Sequence, residues 1–177
     1  MEAAGIVSYG RMLYNNVNNG RFLCAGASVK MVRQIVDSAS AESFGVDAGV
    51  LCKMCRNLTL GLSAQNVVAP RLKLDTAADQ YPLSVTAGAG YRLLNDKLLL
   101  ALDANKTANT DYQLHAGGEY TLFKMLSLRA GINETELDFG LGFKYKGYSL
   151  DYAFALNDAS QANNLGASNR IGLDVKF

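Results

Sequence analysis

No run in this chain approaches roughly eighteen uninterrupted apolar residues, which excludes a transmembrane helix. It does not exclude the membrane, because a β-barrel crosses with strands whose signal per segment is much weaker. Proline is confined to Pro70 and Pro82, whereas glycine occurs seventeen times. Charge of either sign is not in excess: 17 Lys+Arg stand against 16 Asp+Glu, so there is no basic stripe for nucleic acid and no acidic tail. The first residues, Met1 to Gly5, lack the basic region and apolar run of a signal peptide. At 177 residues the chain reads as one domain spanning residues 1–177.

Cysteine is scarce too: Cys24, Cys52 and Cys55. A lone Cys52-x-x-Cys55 with one distant His115 cannot supply the four ligands of a structural zinc. Residues three apart on a strand point to opposite faces, about 10 Å apart. That exceeds the span of about 7 Å that a disulfide tolerates. A Cys24–Cys55 bridge is the better alternative, and three free thiols are the favoured reading. His115 lies beside Gln113 and Glu119 with no nucleophile elbow near any serine, so no catalytic triad is supported and no enzymatic activity is expected. Gly88-x-Gly90 lies inside an alternating run, not before a helix, so it is no phosphate loop. No metal or cofactor is expected.

What the chain does have is period two. In Leu137–Lys146, Leu137, Phe139, Leu141, Phe143 and Tyr145 alternate with Asp138, Gly140, Gly142, Lys144 and Lys146. Tyr148–Asn157 and Arg170–Phe177 alternate in the same way. Successive side chains of a strand point to opposite faces, so each run has one apolar and one polar face. Further runs occur at Val7–Tyr14, Leu23–Arg33, Phe44–Lys53, Leu58–Gln65, Leu83–Leu93, Leu98–Asn105, Tyr112–Leu122 and Leu126–Ile132. Asp37–Glu42 reads as a polar loop and Asn66–Tyr81 as the longest irregular stretch. No 3.6-residue period is sustained, so the expectation is eleven strands in an all-β antiparallel meander.

Two architectures fit alternation: a soluble all-β binding module with the apolar face inward, or an up-and-down transmembrane β-barrel with that face outward. Four features favour the barrel. Tight connections at 55–57, 94–96, 123–124 and 146–147 alternate with mostly longer polar ones. Tyr91, Tyr120, Tyr145, Tyr148 and Phe177 stand on the apolar face near the tight turns, as an interfacial girdle would. The polar face is rich in Gly, Ser and charged residues. Strand lengths are near those needed to cross a bilayer at a tilt. The barrel reading makes Asp103, His115, Glu119, Arg129, Asp138, Lys144, Asp151, Arg170, Asp174 and Lys176 lumen-lining, with cross-strand charge ladders such as Arg129 to Asp138 or Glu119. Eleven is an odd number, and bacterial barrels are even, so at least one more strand and an export signal are expected upstream of Met1.

Leu58–Asn66, Leu100–Lys106, Leu114–Tyr120, Leu126–Gly131, Leu150–Phe154 and Arg170–Phe177 are stretches that resemble strands of the PorV/PorQ family within the FadL-type outer-membrane barrels. The resemblance covers most of the chain from about Val7 and rests on repeated strand idioms. It implies a barrel of about fourteen strands, of which this chain is the C-terminal part, with an N-terminal plug that has no counterpart here. It also implies a bacterial outer-membrane location, with transport of hydrophobic compounds or type IX protein secretion as the role. The implied partners are outer-membrane lipid and hydrophobic small molecules or secretion-system proteins.

Overall fold

The computed structural model describes residues 2–36, 39–69, 71–74, 77–133, 136–157 and 167–175. Every regular element among them is a strand. These are β1 (Glu2–Asn16), β2 (Arg21–Val36), β3 (Ala39–Lys53), β4 (Leu58–Val68), β5 (Arg71–Leu74), β6 (Ala77–Gln80) and β7 (Ser84–Leu93). β8 (Leu98–Thr107), β9 (Tyr112–Leu122), β10 (Leu126–Ile132), β11 (Glu136–Tyr145), β12 (Tyr148–Asn157) and β13 (Ser168–Val175) follow. β5 and β6 pair with each other; the other eleven form one sheet in chain order. This is the all-β, antiparallel, up-and-down arrangement expected from the alternation. Among the described residues no ladder joins β1 to β13. The chain divides into two compact units, Met1–Gly88 with Ala104–Tyr112, and Ala89–Asp103 with Gln113–Phe177.

In the second unit the register lines like with like. Tyr120, Leu128, Leu141, Tyr152 and Ile171 form one row across β9 to β13. Leu122, Leu126, Phe143, Leu150 and Leu173 form the next. On the other face, Thr121, Ser127, Gly142, Asp151 and Gly172 run between these rows, and Glu119, Arg129, Gly140, Ala153 and Arg170 run beside the first. A slip of one residue would interleave apolar and polar side chains on both faces, so the pattern itself specifies the register. Tight reversals lock it. Phe123 and Lys124 have φ of 51° and 60°, and Lys146 and Gly147 have 43° and 87°. Positive φ at both central positions gives the hairpin turn whose twist matches the strands.

In the first unit Val7, Val29, Val46 and Val68 share one row, and Ser8, Ser28 and Asp47 lie in the row beside it. β1 is longer than the Val7–Tyr14 run. It pairs with β2 from Glu2↔Gln34 to Asn16↔Arg21, with one irregularity between Met12 and Tyr14. That offset is why its alternation reads poorly in the sequence.

Two expectations about connections are corrected. The polar loop at Asp37–Glu42 is mostly strand: β2 runs to Val36 and β3 starts at Ala39. Ladder hydrogen bonds and an Arg33–Glu42 ion pair of 3.3 Å outweigh the loop-like composition. Residues 37 and 38 lie outside the described residues. The irregular stretch Asn66–Tyr81 holds the end of β4 and the β5–β6 hairpin. Four-residue strands are too short for periodicity to reveal. β5 lies against β3, and the polar-face residues Val32 and Gly45 are buried, Val32 to 5% exposure. Phe177 and Lys176 lie outside the described residues.

The apolar side chains are not packed into a core. Val32 is the sole buried large apolar side chain among the described residues. Leu141 is 50% exposed, Phe139 45% and Leu173 73%. The residues that alternate with them in β11, such as Asp138, Gly140 and Gly142, are less exposed. A soluble sheet hides its apolar face and wets the other.

Candidate functional site on the polar face

The chemistry-bearing side chains gather on the polar face in two clusters, one in each unit. In the second, Arg129 on β10 is the centre. Its Nε donates to Glu119 Oε2 at 2.6 Å, directly across the β9–β10 ladder. Its Nη1 donates to Asp151 Oδ1 at 2.5 Å. Asp151 is on β12, two strands away, about 9–10 Å at ordinary strand spacing. The guanidinium therefore has to pass over β11, and it does so at Gly142. A Cβ built on Gly142 would lie 2.7 Å from Asp151 Oδ1 and 3.1 Å from Arg129 Nη2. Gly140, beneath the stem of Arg129, is nearly as tight, at 3.3 Å from Arg129 Cβ. Two glycines in one strand thus open a track along which one cation reaches two anions. Arg129 and Asp151 are each 43% exposed in their side chains, so screening limits each pair to about 1 kcal/mol. The network orients more than it stabilises.

Beside this ladder the polar face forms a concavity of about 450 Å³, walled by Glu119, Arg129, Asp138 and Arg170 and floored by Gly117, Gly131 and Gly140. The structure thus brings together four of the ten residues read as lumen-lining, with Asp151 tied to them through Arg129. The Arg129–Asp138 pairing is not formed, since the register sets Asp138 opposite Gly131. Asp103 on β8 and His115 on β9 are exposed and outside the concavity. Lys144 and Asp174 both lie in register with Ser149, on either side of β12. Lys176 lies outside the described residues.

The cluster in the first unit was not singled out from sequence. Lys30 Nζ donates to Asp47 Oδ1 and Oδ2 at 2.8 and 3.2 Å. Asp47 Oδ1 also accepts from the backbone N–H of Asn66 at 2.7 Å. Asn66 sits at φ 58°, where the β3–β4 register shifts. Its Nδ2 donates to the Pro82 carbonyl at 2.7 Å, tying the start of the connection to its end. Asp47 is the cap of a β-bulge, and only the register places it opposite that bulge. The available signal was weak: Lys30 and Asp47 both alternate onto polar faces. Asp47→Ala is expected to cost about 2 kcal/mol, since it orphans both the Lys30 ammonium and the Asn66 N–H. Urea unfolding in detergent micelles followed by far-ultraviolet circular dichroism measures it, and Asn66→Gly, which keeps the positive φ, should cost less. Further along, Asn105 Nδ2 donates to Ser84 Oγ at 2.9 Å and Thr86 Oγ1 at 2.7 Å, closing a neutral patch on β7 and β8.

The three cysteines are free. Cys24 faces Leu51 in the β2–β3 ladder and Cys55 lies beyond the end of β3, so the Cys24–Cys55 bridge is not formed. Hydrogen bonds from the backbone N–H groups of Asn57 and Leu58 hold the Cys55 thiol below its ordinary range. A depressed value means more thiolate at neutral pH and faster alkylation. With Cys24 and Cys52 replaced by serine, the maleimide rate at Cys55 should reach half its maximum at a lower pH than for free cysteine. A midpoint at or above the free value would contradict this.

On the opposite face, Leu128, Phe139, Leu141, Tyr152 and Phe154 bound a shallow groove of about 550 Å³. No family model matches the chain, and no curated protein matches it.

Proposed function

We propose that this chain is a portion of an outer-membrane β-barrel of the PorV/FadL type, with its apolar face toward lipid and its polar face toward a wet lumen. The observation that carries the reading is the solvent exposure of most large apolar side chains. Burying one Leu or Phe side chain stabilises a fold by about 1.5–3 kcal/mol, and rows of them left in water forgo that stabilisation many times over. Hydrocarbon restores it. Strand-to-strand pairing also satisfies the backbone groups of every strand between the edge strands β1 and β13, as lipid requires, and upstream strands of a whole barrel would cover those two edges. The Glu119–Arg129–Asp151 ladder supports a stiff, hydrated inner wall.

The role that goes with this reading is passage of hydrophobic compounds or support of type IX secretion. It rests on the strand idioms resembling that family, and on the groove of acyl-chain character on the outer face. A soluble binding module would need Leu141, Phe139 and Leu173 packed in a common core, and the exposures weigh against that.

The test is partitioning. The chain should sediment with membranes, resist alkaline extraction, and stay dispersed only in detergent or lipid. A monodisperse, folded monomer in plain buffer would overturn the proposal. The role is tested apart from the location, by comparing uptake of a labelled long-chain fatty acid and export of secretion-system cargo in cells with and without the gene.

A further inference from the structure

We infer that the tight-turn end of the second unit is a docking rim for anionic phospholipid headgroups, an inference that rests on the membrane reading above. The connections 94–97, 123–125 and 146–147 alternate with the others, and in an antiparallel meander alternate connections share one end. Lys97, Lys124 and Lys146 lie in them, all exposed, with Lys144 and Arg92 exposed just inside the strands. Among the described residues the acids at this end are Asp96 in the first turn and Asp174 opposite Ser149. Five cations against two anions leave an excess of three positive charges. At the other end of the second unit's strands the described charges are Glu136, Asp138 and Arg170, one net negative.

Three further features fit a headgroup. The rim carries exposed aromatics: Phe123, 86% exposed, in the turn, and the directly paired Tyr145 and Tyr148 on the apolar face. Aromatics of this kind sit where hydrocarbon meets headgroup. The Lys146 Nζ lies 5.3 Å from the Tyr145 ring centroid, which holds the ammonium at that boundary. Between the turns at 94–97 and 123–125 is a concavity of about 650 Å³ that includes Lys97, Tyr120, Phe123 and Lys124. The turn backbones are set by positive φ at Leu94, Asn95, Asp96, Phe123, Lys124 and Lys146, so the lysines are presented on fixed reversals. Cations above a ring of aromatics complement a phosphate above acyl chains. Outer-membrane barrels place short turns on the periplasmic side, where phospholipid forms the leaflet.

The experiment dilutes the urea-denatured full chain into vesicles of phosphatidylcholine alone, or of phosphatidylcholine with phosphatidylglycerol, and floats them. Wild type should partition more strongly onto the anionic vesicles, and high salt should erase the difference. The variant Lys97→Gln/Lys124→Gln/Lys146→Gln should lose about fivefold of that preference per charge removed while still floating with phosphatidylcholine. Equal partitioning of wild type onto both compositions, or a variant that keeps the preference, overturns the rim and leaves the membrane reading standing. Failure to float with either composition overturns the membrane reading itself.

Discussion

Replacing Leu141 with arginine is expected to destabilise the folded, lipid-inserted chain by about 2–4 kcal/mol, whereas Tyr148→Arg should cost no more than about 1 kcal/mol. Both side chains are at least half exposed, on the same face of adjacent strands. In water the two substitutions would be nearly alike, within about 0.5 kcal/mol of neutral, as exposed changes usually are. In a bilayer they part company. Leu141 lies in the middle of β11, where a cation must be drawn into hydrocarbon. Tyr148 opens β12 beside the turn, where an arginine reaches the headgroups. Urea titration of vesicle-inserted variants, read by circular dichroism, gives both values in one series. Equal costs at the two positions would mean that the face does not see a depth-dependent solvent, and the lipid-facing assignment would fall.

Gly142→Val is the second large effect, expected to destabilise by about 1–3 kcal/mol. Valine is the better strand former, and propensity alone favours it by up to about 1 kcal/mol. Against that stands steric conflict: its Cβ would fall 2.7 Å from Asp151 Oδ1 and 3.1 Å from Arg129 Nη2. Overpacking costs about 1–3 kcal/mol, and the displaced guanidinium loses its bond to Asp151 as well. The clash therefore wins. The sign should reverse in an Arg129→Ala background, because the obstacle on the arginine side is gone and Asp151 is free to turn away. There Gly142→Val should be neutral or stabilising. A double-mutant cycle isolates the coupling, about 2 kcal/mol between residues on adjacent strands. Gly172→Ala is the control: its Cβ would meet only Asp151 Cβ at an ordinary 3.9 Å. A Gly142→Val cost that persists unchanged without Arg129 would mean that the glycine serves the backbone and not the ladder.

Strand identity and the two faces of most strands were legible in the sequence because alternation is a local property. Leu141 and Gly142 need no partner to declare opposite sides. The pairings were less legible. Arg129 was matched correctly with Glu119 on the neighbouring strand, since opposite signs on adjacent polar faces suggest it. The alternative, Asp138, is not met, because the register sets it opposite Gly131, one rung away. The second partner, Asp151, is two strands off and within reach only because Gly142 has no side chain. Asp47 and Asn66 were missed for a related reason. A bulge is a mismatch between two strands, and neither strand reveals it alone. The 37–42 segment was misjudged because composition describes a residue's preference in isolation, and a paired ladder overrides it.

The sequence by itself determined that this chain is an antiparallel meander with an oily and a charged side. A period of two can be satisfied only by strands, and short gaps only by hairpins. The tertiary structure alone decided which rows line up and which charges meet. Both depend on atoms far apart in the chain: the alignment of a row such as Tyr120–Leu128–Leu141–Tyr152–Ile171, and the passage of one guanidinium over a glycine. Such contacts are set by register and by what is absent from the space between strands, and neither is written in any single segment.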